Sequence, residues 1–427
     1  MKNTSKQIRK EKLTDGHSTA IKITSCEVCG NNKLTPVLNL GLHPLCDDLV
    51  PIGDSRVCIE YPIEILFCEK CFTAHQNFQV PKRELFPKTY HYRARFTSDV
   101  LNGMEELVSS CENQFGSLYH KKILDIGCND GSLLNFFKDK GAITIGIEPT
   151  DAYLDAIDEG HKVFNDFLSL NAAKEIVSKY GKPDYICFTN VFAHIENLDE
   201  VISSLKYLIH SKSIIVIENH YLGSILAGNQ FDTFYHEHPR TYSYKSFKYI
   251  SKSLGLDLLG VKFPKRYGGN IRVYIGNSNY YKSAKNDTDA IVSRELKYLR
   301  DFEKMQKMIN RWVKSKKAII NDYVNKFGKL RAKAFPGRAA ILIKMLGLTE
   351  NEILCVFEKP GSMKIGHYVP GTIIPIVSDN ELFLENDKSY PILNLAWHIP
   401  AEIRSYLISN GYQGEIIDII SNADFIE

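Results

Sequence analysis

The sequence has no apolar run near the roughly 18 residues that a bilayer-spanning helix requires. It also lacks low-complexity tracts, and it shows no internal repeat beyond two loosely similar α/β halves. No charge of one sign dominates: 53 Lys and Arg stand against 50 Asp and Glu, a net +3. That balance gives no general field for nucleic acid or an anionic membrane, although a local patch is compatible with it. The polar, Lys-rich start, Met1 to Ala20, lacks the apolar core of a secretory signal and reads as a loose tail. Ten cysteines in 427 residues are too few for a disulfide scaffold. What remains is an ordinary globular balance, 44% apolar and 24% charged, in a chain long enough for two or three domains.

The cysteines are not scattered evenly. Cys26-Glu-Val-Cys29 and Cys68-Glu-Lys-Cys71 form two CxxC turns, the first followed by Gly30 and Asn31, the second flanked by Phe67 and Phe72. Each turn aims two sulfurs inward, and two turns complete a tetrahedral S₄ site for Zn²⁺. Four thiolates leave no open position, so the metal is structural and supports folding of residues 21 to about 80. A redox CxxC or two unrelated pairs are the competing readings. Cys46, Cys58, Cys111, Cys128, Cys187 and Cys355 read as packing residues. Metal-held thiols point to a reducing, cytoplasmic setting.

Lys121–Ile126 reads as a buried strand that stops at Gly127. Cys128-Asn129-Asp130-Gly131-Ser132 is a turn, Leu133–Phe137 opens a helix, and Ile143–Ile147 is a second strand ending at Glu148. Strand, glycine turn, helix, strand and acid are the recipe for holding an adenosyl ligand at strand ends. Gly127 permits close backbone approach and Glu148 can accept both ribose hydroxyls. NAD sites carry GxGxxG so that a diphosphate rests on the helix N-terminus. Here Asp125 and Asp130 would repel a diphosphate, whereas a cationic sulfonium with an amino-acid tail suits them, which favours S-adenosylmethionine. Asn165-Asp166-Phe167 stands at a third strand end, with Asp166 facing adenine. Asp184–Asn190 is a fourth strand, leading to Asn190 and His194 beside the reacting methyl, and Ser213–Asn219 is a fifth. Residues about 100–260 therefore alternate as a doubly wound parallel sheet.

After the fifth strand comes Phe231-Asp232-Thr233-Phe234-Tyr235-His236-Glu237-His238-Pro239. In an extended chain Tyr235 and Glu237 face one way and His236 and His238 the other, while a turn before Pro239 brings Glu237 and His238 to one pocket. A carboxylate beside an imidazole raises its basicity and fixes its tautomer, as a general base requires. A second zinc site and a structural polar network are the alternatives.

These motifs together resemble the sugar C-methyltransferases, S-adenosylmethionine-dependent enzymes acting at C-3 of nucleotide-linked 4-keto-deoxysugars. The resemblance covers nearly everything beyond residue 20. It rests on the paired CxxC turns, Pro44-Leu45-Cys46-Asp47-Asp48, Asp125–Gly131, Asn190 with His194, the Phe231–His238 run, Gly268-Gly269-Asn270-Ile271-Arg272 and Pro370–Pro375. It implies that His238 removes the C-3 proton, with Glu237 orienting it or sharing the proton. Tyr235 and His194 would donate to the enolate oxygen, and Asn190 would contact both cofactor and sugar. Asp125, Gly127, Asn129, Glu148 and Asp166 would hold the cofactor, and Gly269 and Asn270 would lie beside the sugar. Tyr90 or Tyr92, the latter preferred, would close over the sugar. Serines usual after that tyrosine are replaced here by Arg93-Ala94-Arg95-Phe96, and the two arginines would bind a diphosphate or form an exposed basic loop.

The resemblance also implies a fold of three parts: an N-terminal zinc-binding module, a class I Rossmann-like methyltransferase domain and a second, C-terminal α/β domain. The expected divisions are a tail at 1–20, the zinc module at 21–85, the methyl-donor domain at 86–280, and a helical connector with the C-terminal domain at 281–427. In the connector, Leu296, Leu299, Phe302, Met305, Ile309 and Trp312 recur at helical spacing as a packing face. Ala339–Lys344, Ile353–Glu358 and Ile373–Val377 read as strands. The C-terminal unit has Phe335-Pro336-Gly337-Arg338-Ala339 where the family usually has a glycine-alanine turn, and Glu358 where it has aspartate, which argues against a second catalytic centre. Lys359, Lys364 and His367 would hold the nucleotide diphosphate or lie in a solvated loop. The expected partners are a nucleotide-diphosphate keto-sugar, with no nucleic acid and no membrane, in a monomer or weak homodimer. The rivals are an O- or N-methyltransferase, in which Tyr235, Glu237 and His238 would be individually dispensable, and a zinc-bearing nucleic-acid binder.

Overall fold

Apolar runs of the middle third form the parallel strands Lys122–Ile126, Ile143–Ile147, Lys162–Phe164, Tyr185–Thr189 and Ile214–His220. The structure is a computed structural model that describes residues 10–12, 20–86, 92–284, 287–384 and 388–425. Strand order across the sheet is 162–164, 143–147, 122–126, 185–189, 214–220, then the antiparallel pair 270–276 and 257–262. The order reverses beside Lys122–Ile126, so the crevice for a ligand opens where that strand and Tyr185–Thr189 end. Buried residues on both faces (Ile126, Phe188 and Ile217 on one, Ile123, Cys187 and Val216 on the other) explain why these strands read as continuous apolar runs.

The zinc module is an antiparallel sheet of Thr35–Pro44, Glu60–Cys68 and Thr73–Gln76. Its fourth strand comes from far along the chain: Arg240–Thr241 pairs with Thr73–Gln76. The module is therefore completed by the segment that follows His238. Lys10–Lys12 pairs antiparallel with Ile21–Ile23, so part of the expected loose tail is a strand.

The C-terminal unit is a five-stranded parallel sheet in the order 376–378, 353–358, 330–333, 392–394, 416–418. This repeats the strand order of the first five strands of the middle domain. One expected strand is not one: Ala339–Leu346 is a helix, closed by Gly347 in the left-handed conformation. Every residue from Ala339 to Ile343 is buried, and an apolar run buried all round carries no period by which helix and strand can be separated. The long helix Tyr298–Phe327 buries Phe302, Met305, Ile309 and Trp312 as its spacing predicts, while Leu296, in the break before it, is 67% exposed. That buried face packs on both the zinc module (Ile63, Phe67) and the C-terminal sheet (Leu330, Val356), joining them through one core. Among the described residues, no helix is long and apolar enough to cross a membrane.

Candidate active site and metal centre

The four cysteine sulfurs lie within 4.8 Å of one another, with Cys26 to Cys71 at 3.3 Å and Cys29 to Cys68 at 3.6 Å. Zn–S bonds of about 2.3 Å in a tetrahedron require sulfurs about 3.8 Å apart, so the donor set fits zinc. Both knuckles close in the same way. Gly30 donates its N–H to the Cys26 carbonyl (2.8 Å) and Phe72 to that of Cys68 (2.7 Å), and both have a positive φ, 70° and 59°. Glycine takes this conformation freely, whereas Phe72 is held there by stacking on Phe67 at 5.9 Å and by the Lys245 ammonium 3.9 Å from its ring centre. Among the described residues these four cysteines are the one group whose ligand atoms converge, and the Tyr235–His238 run forms no second metal site.

A cavity of about 420 Å³ runs from the strand ends of the middle domain to the junction of all three parts. Asp125, Gly127, Asn129, Glu148, Asp166 and Asn190, the residues expected to hold the cofactor, all line it. Gly127 has φ +70°, and a Cβ there would meet Val191 Cγ2 at 2.7 Å, so only glycine keeps the wall open. One Glu148 oxygen accepts from the Thr150 N–H (2.9 Å) and hydroxyl (2.6 Å), and the other accepts from the Asn129 N–H (3.0 Å). Burial, then the Glu148 charge, pushes the Asp125 carboxyl well up, and burial also raises Glu148. Two buried acids facing one cavity gain by receiving a cation and lose by receiving a diphosphate. That chemistry fits S-adenosylmethionine. The Asn129 side chain is engaged elsewhere: its Oδ1 accepts from the Ala94 N–H (3.0 Å) and its Nδ2 donates to the Tyr92 carbonyl (3.0 Å). It docks the loop after the zinc module onto the glycine turn.

In the Tyr235–His238 run a turn replaces the extended geometry. His238 donates its N–H to the Tyr235 carbonyl (2.9 Å), so Tyr235, Glu237 and His238 all line the cavity. His236 turns away and its Nε2–H donates to the Tyr61 carbonyl (3.1 Å). The His238 Nδ1–H donates to the Thr233 carbonyl (3.0 Å), which assigns the tautomer and leaves the Nε2 lone pair as acceptor. Orientation at Nδ1 thus comes from a main-chain carbonyl rather than from Glu237. The His194 Nδ1–H likewise donates to the Glu237 carbonyl (2.8 Å). Ring centres lie 4.3 Å (Tyr235), 4.8 Å (His194) and 5.3 Å (His220) from that of His238. Burial is the main cause that keeps these imidazoles neutral: it holds His194 at about 4 and His220 at about 3. Burial, then His194 and His220, takes His238 well below its ordinary value. Burial, then Glu237, pushes the Tyr235 phenol well up, so it is a hydrogen-bond donor.

Other expected residues lie elsewhere. Gly269 and Asn270 do not line the cavity. A Cβ on Gly269 would strike Ser224 Oγ at 2.4 Å, so its missing side chain serves packing. Fully buried Asn270 donates to Asn190 Oδ1 (3.2 Å) and Glu218 Oε1 (3.0 Å), bracing the wall from behind. Arg93 and Arg95 both pair with Asp155, at 2.6 and 3.2 Å, and neither lines the cavity. Lys364 donates to the Phe335 carbonyl (2.8 Å), Lys359 lies over the Tyr406 ring, and neither they nor His367 line the cavity. Tyr92 lines the rim; Tyr90 lies outside the described residues.

Several lining residues carried no assigned role in the sequence. His220 ends the fifth strand, and its strand-end position was the available signal. Cys46 and Asp47 come from the zinc module, Arg338 and His398 from the C-terminal unit. Arg338 sits at the switch point of the C-terminal sheet: its Nε is 3.3 Å from Asp232 Oδ2, its NH1 donates to Thr233 Oγ1 (3.1 Å), and it faces the Trp397 ring. A single basic residue in an otherwise apolar turn offers no signal until the two α/β units are seen to share a cavity.

Three family models match in succession: a zinc binding domain over residues 26–86, a methyltransferase domain over 98–261 and a C-methyltransferase C-terminal domain over 265–415. The C-methyltransferase NovU of Streptomyces niveus is 24% identical over 392 residues, which is 89% of this chain and 91% of that protein. Among solved structures, the magnesium protoporphyrin IX methyltransferase of Synechocystis PCC 6803 with bound S-adenosylhomocysteine aligns at 16% identity. It covers 42% of this chain and 84% of that one, at a TM-score of 0.34. A methyltransferase from Archaeoglobus fulgidus aligns at 18% identity, over 40% and 94%, with a TM-score of 0.32.

Proposed function

We propose that this chain, which belongs to the S-adenosylmethionine-dependent C-methyltransferases built on a zinc domain, methylates C-3 of a nucleotide-linked 4-keto-deoxysugar through an enolate. The observation that carries this reading is the His238 imidazole. It is neutral, presents Nε2 as its acceptor and stands among Tyr235, His194 and His220 in the same cavity that Asp125 and Glu148 line.

When bound, S-adenosylmethionine supplies an electrophilic methyl group on a sulfonium. Asp125, Gly127, Glu148, Asp166 and Asn190 hold it, with Asn129 fixing the loop that covers it. A C-4 ketone acidifies the neighbouring C-3 hydrogen, and His238 Nε2 takes that proton. The imidazolium forms opposite the enolate, and this attraction offsets the burial that disfavours charge on His238 in the unliganded chain. Tyr235 donates toward the enolate oxygen, where negative charge develops, whereas His194, expected to donate there as well, gives its one N–H to the Glu237 carbonyl. Glu237, which lines the same cavity, shares the proton. Arg338, at the C-terminal switch point, holds the anionic nucleotide end, in the place where doubly wound sheets receive ligands. The ten free cysteines, four of them a metal set, suit a reducing cytoplasm.

The test is transfer of a ¹³C-labelled methyl group to thymidine- and guanosine-diphosphate 4-keto-6-deoxysugars, read by the carbon to which the label becomes attached. A methyl bonded to C-3 is expected, and a methyl on oxygen or nitrogen contradicts the reading. The same assay across pH gives the base. kcat/KM reports free-enzyme ionisations, and His238 must be neutral to act, so its depressed value places the acid limb well below pH 6.5. An acid limb at or above pH 6.5 would remove His238.

A further inference from the structure

The mechanism leaves Arg240 unused, although it is among the largest fully buried side chains of the molecule. Its NH1 donates to Glu27 Oε2 in a very short contact, and its Nε donates to the Tyr242 hydroxyl (3.0 Å). Glu27 lies inside the first zinc knuckle, between Cys26 and Cys29, and it also accepts from Gln79 Nε2 (2.7 Å). Arg240 follows His238 by two residues and begins the strand that completes the zinc sheet.

That strand is only two residues long, with Arg240 opposite His75 and Thr241 opposite Ala74. So short a ladder fixes its own register weakly, and a slip of one residue would turn every following side chain to the other face. The register is held instead by contacts that all reach into the zinc module. The Gln76 N–H donates to the Pro239 carbonyl (2.9 Å), and Gln76 Nε2 donates to the Tyr235 carbonyl (3.2 Å). Beyond the strand, the Ser243 and Ser246 hydroxyls donate to the carbonyl of the zinc ligand Cys71 (3.3 Å each). The Arg240–Glu27 pair is the one charged member of this set.

We infer that Arg240 is a positioning residue for His238, with Glu27 of the zinc knuckle as its counter-charge, so that closure of the metal site sets where the base stands. The inference rests on the reading of His238 as base. The Arg240 guanidinium and the Glu27 carboxyl are both buried and in direct contact, which makes them an ion pair. Removing one partner would strand a buried charge and endanger folding, whereas removing both leaves a neutral pair.

The experiment therefore uses the full, zinc-loaded chain carrying Glu27→Gln with Arg240→Gln, beside Arg240→Lys, which keeps the charge. Zinc content and S-adenosylhomocysteine affinity are measured first and are expected to match wild type within about twofold. Ring-labelled histidine spectra, with the His238 signal assigned by its loss in His238→Gln, then give the titration of that imidazole without any substrate. In the double variant its midpoint moves up toward the ordinary value by about one pH unit, because a loosened loop admits water. Turnover falls about tenfold or more, and Arg240→Lys lies nearer wild type in both. A double variant with a wild-type His238 titration would overturn the inference, as would one that loses cofactor affinity in proportion, since Arg240 would then support the whole scaffold. If no keto-sugar is methylated even by wild type, the functional reading fails, while the titration still decides whether Arg240 positions His238.

Discussion

His238→Ala is expected to lower turnover by about 10²-fold or more while leaving S-adenosylhomocysteine affinity within about twofold of wild type. Positioned general bases contribute on the order of 10²–10⁴-fold. The split follows from geometry. His238 is held by the Thr233 carbonyl in a turn after the fifth strand, while Glu148 and Asp125 belong to the strand ends across the cavity. Nothing that shapes the cofactor end passes through residue 238: Gly127 is set by Val191, and Glu148 by Thr150 and Asn129. His194, whose Nδ1–H is held by the Glu237 carbonyl, and His220 stay in place when residue 238 is truncated, so the loss reads the contribution of this one imidazole. Isothermal titration and single-turnover kinetics measure the two quantities separately. Near-wild-type turnover in His238→Ala would remove the residue as base.

Removal of zinc is expected to have an equally large effect, on structure as well as rate. Apparent binding free energies for structural zinc sites are about 10–16 kcal/mol, and that energy is folding energy. Without the ion, four cysteine sulfurs held within 4.8 Å repel as thiolates, and the knuckles lose the node that holds them. The consequences do not stop at the module. Its sheet takes Arg240–Thr241 as a strand, and its buried face (Ile63, Phe67) shares a core with Phe302 and Trp312 of the long helix. The seven-stranded sheet has its own core on both faces. Chelation, or Cys68→Ser, should therefore make residues 21–86 sensitive to protease and reduce turnover by about 10²-fold or more. S-adenosylhomocysteine binding by the middle domain should survive. A metal-free chain that keeps its melting temperature and its protease pattern would defeat the S₄ assignment.

How much of this was legible in the sequence depended on whether the signal was local. Strands 122–126, 143–147, 185–189 and 214–220 stand where their apolar runs and terminal glycine or polar residues place them, because each is buried on both faces and bounded by a turn. The two CxxC turns are equally local, and so is the Tyr235–His238 cluster. The failures are nonlocal. The sequence gives no sign that Arg93 and Arg95 pair with Asp155, on a helix sixty residues away, outside the cavity lining. Asn270 looks like a substrate contact until its position behind Asn190 is known. Arg338 and His220 reach the cavity only because two doubly wound sheets turn their switch points toward one space, which no single segment encodes. The helix Ala339–Leu346 was lost for a different reason: uniform burial erased the period that would have identified it.

The most direct test of the account is hydrogen exchange at C-3 of a nucleotide-linked 4-keto-deoxysugar in deuterated water, with S-adenosylhomocysteine in place of the methyl donor. Wild-type enzyme is predicted to wash deuterium into C-3 without forming product, and His238→Ala to leave that position protonated. A chain that methylates the sugar yet exchanges nothing, or exchanges equally well without the imidazole, would contradict the claim that this protein makes carbon nucleophilic by removing a proton beside a ketone.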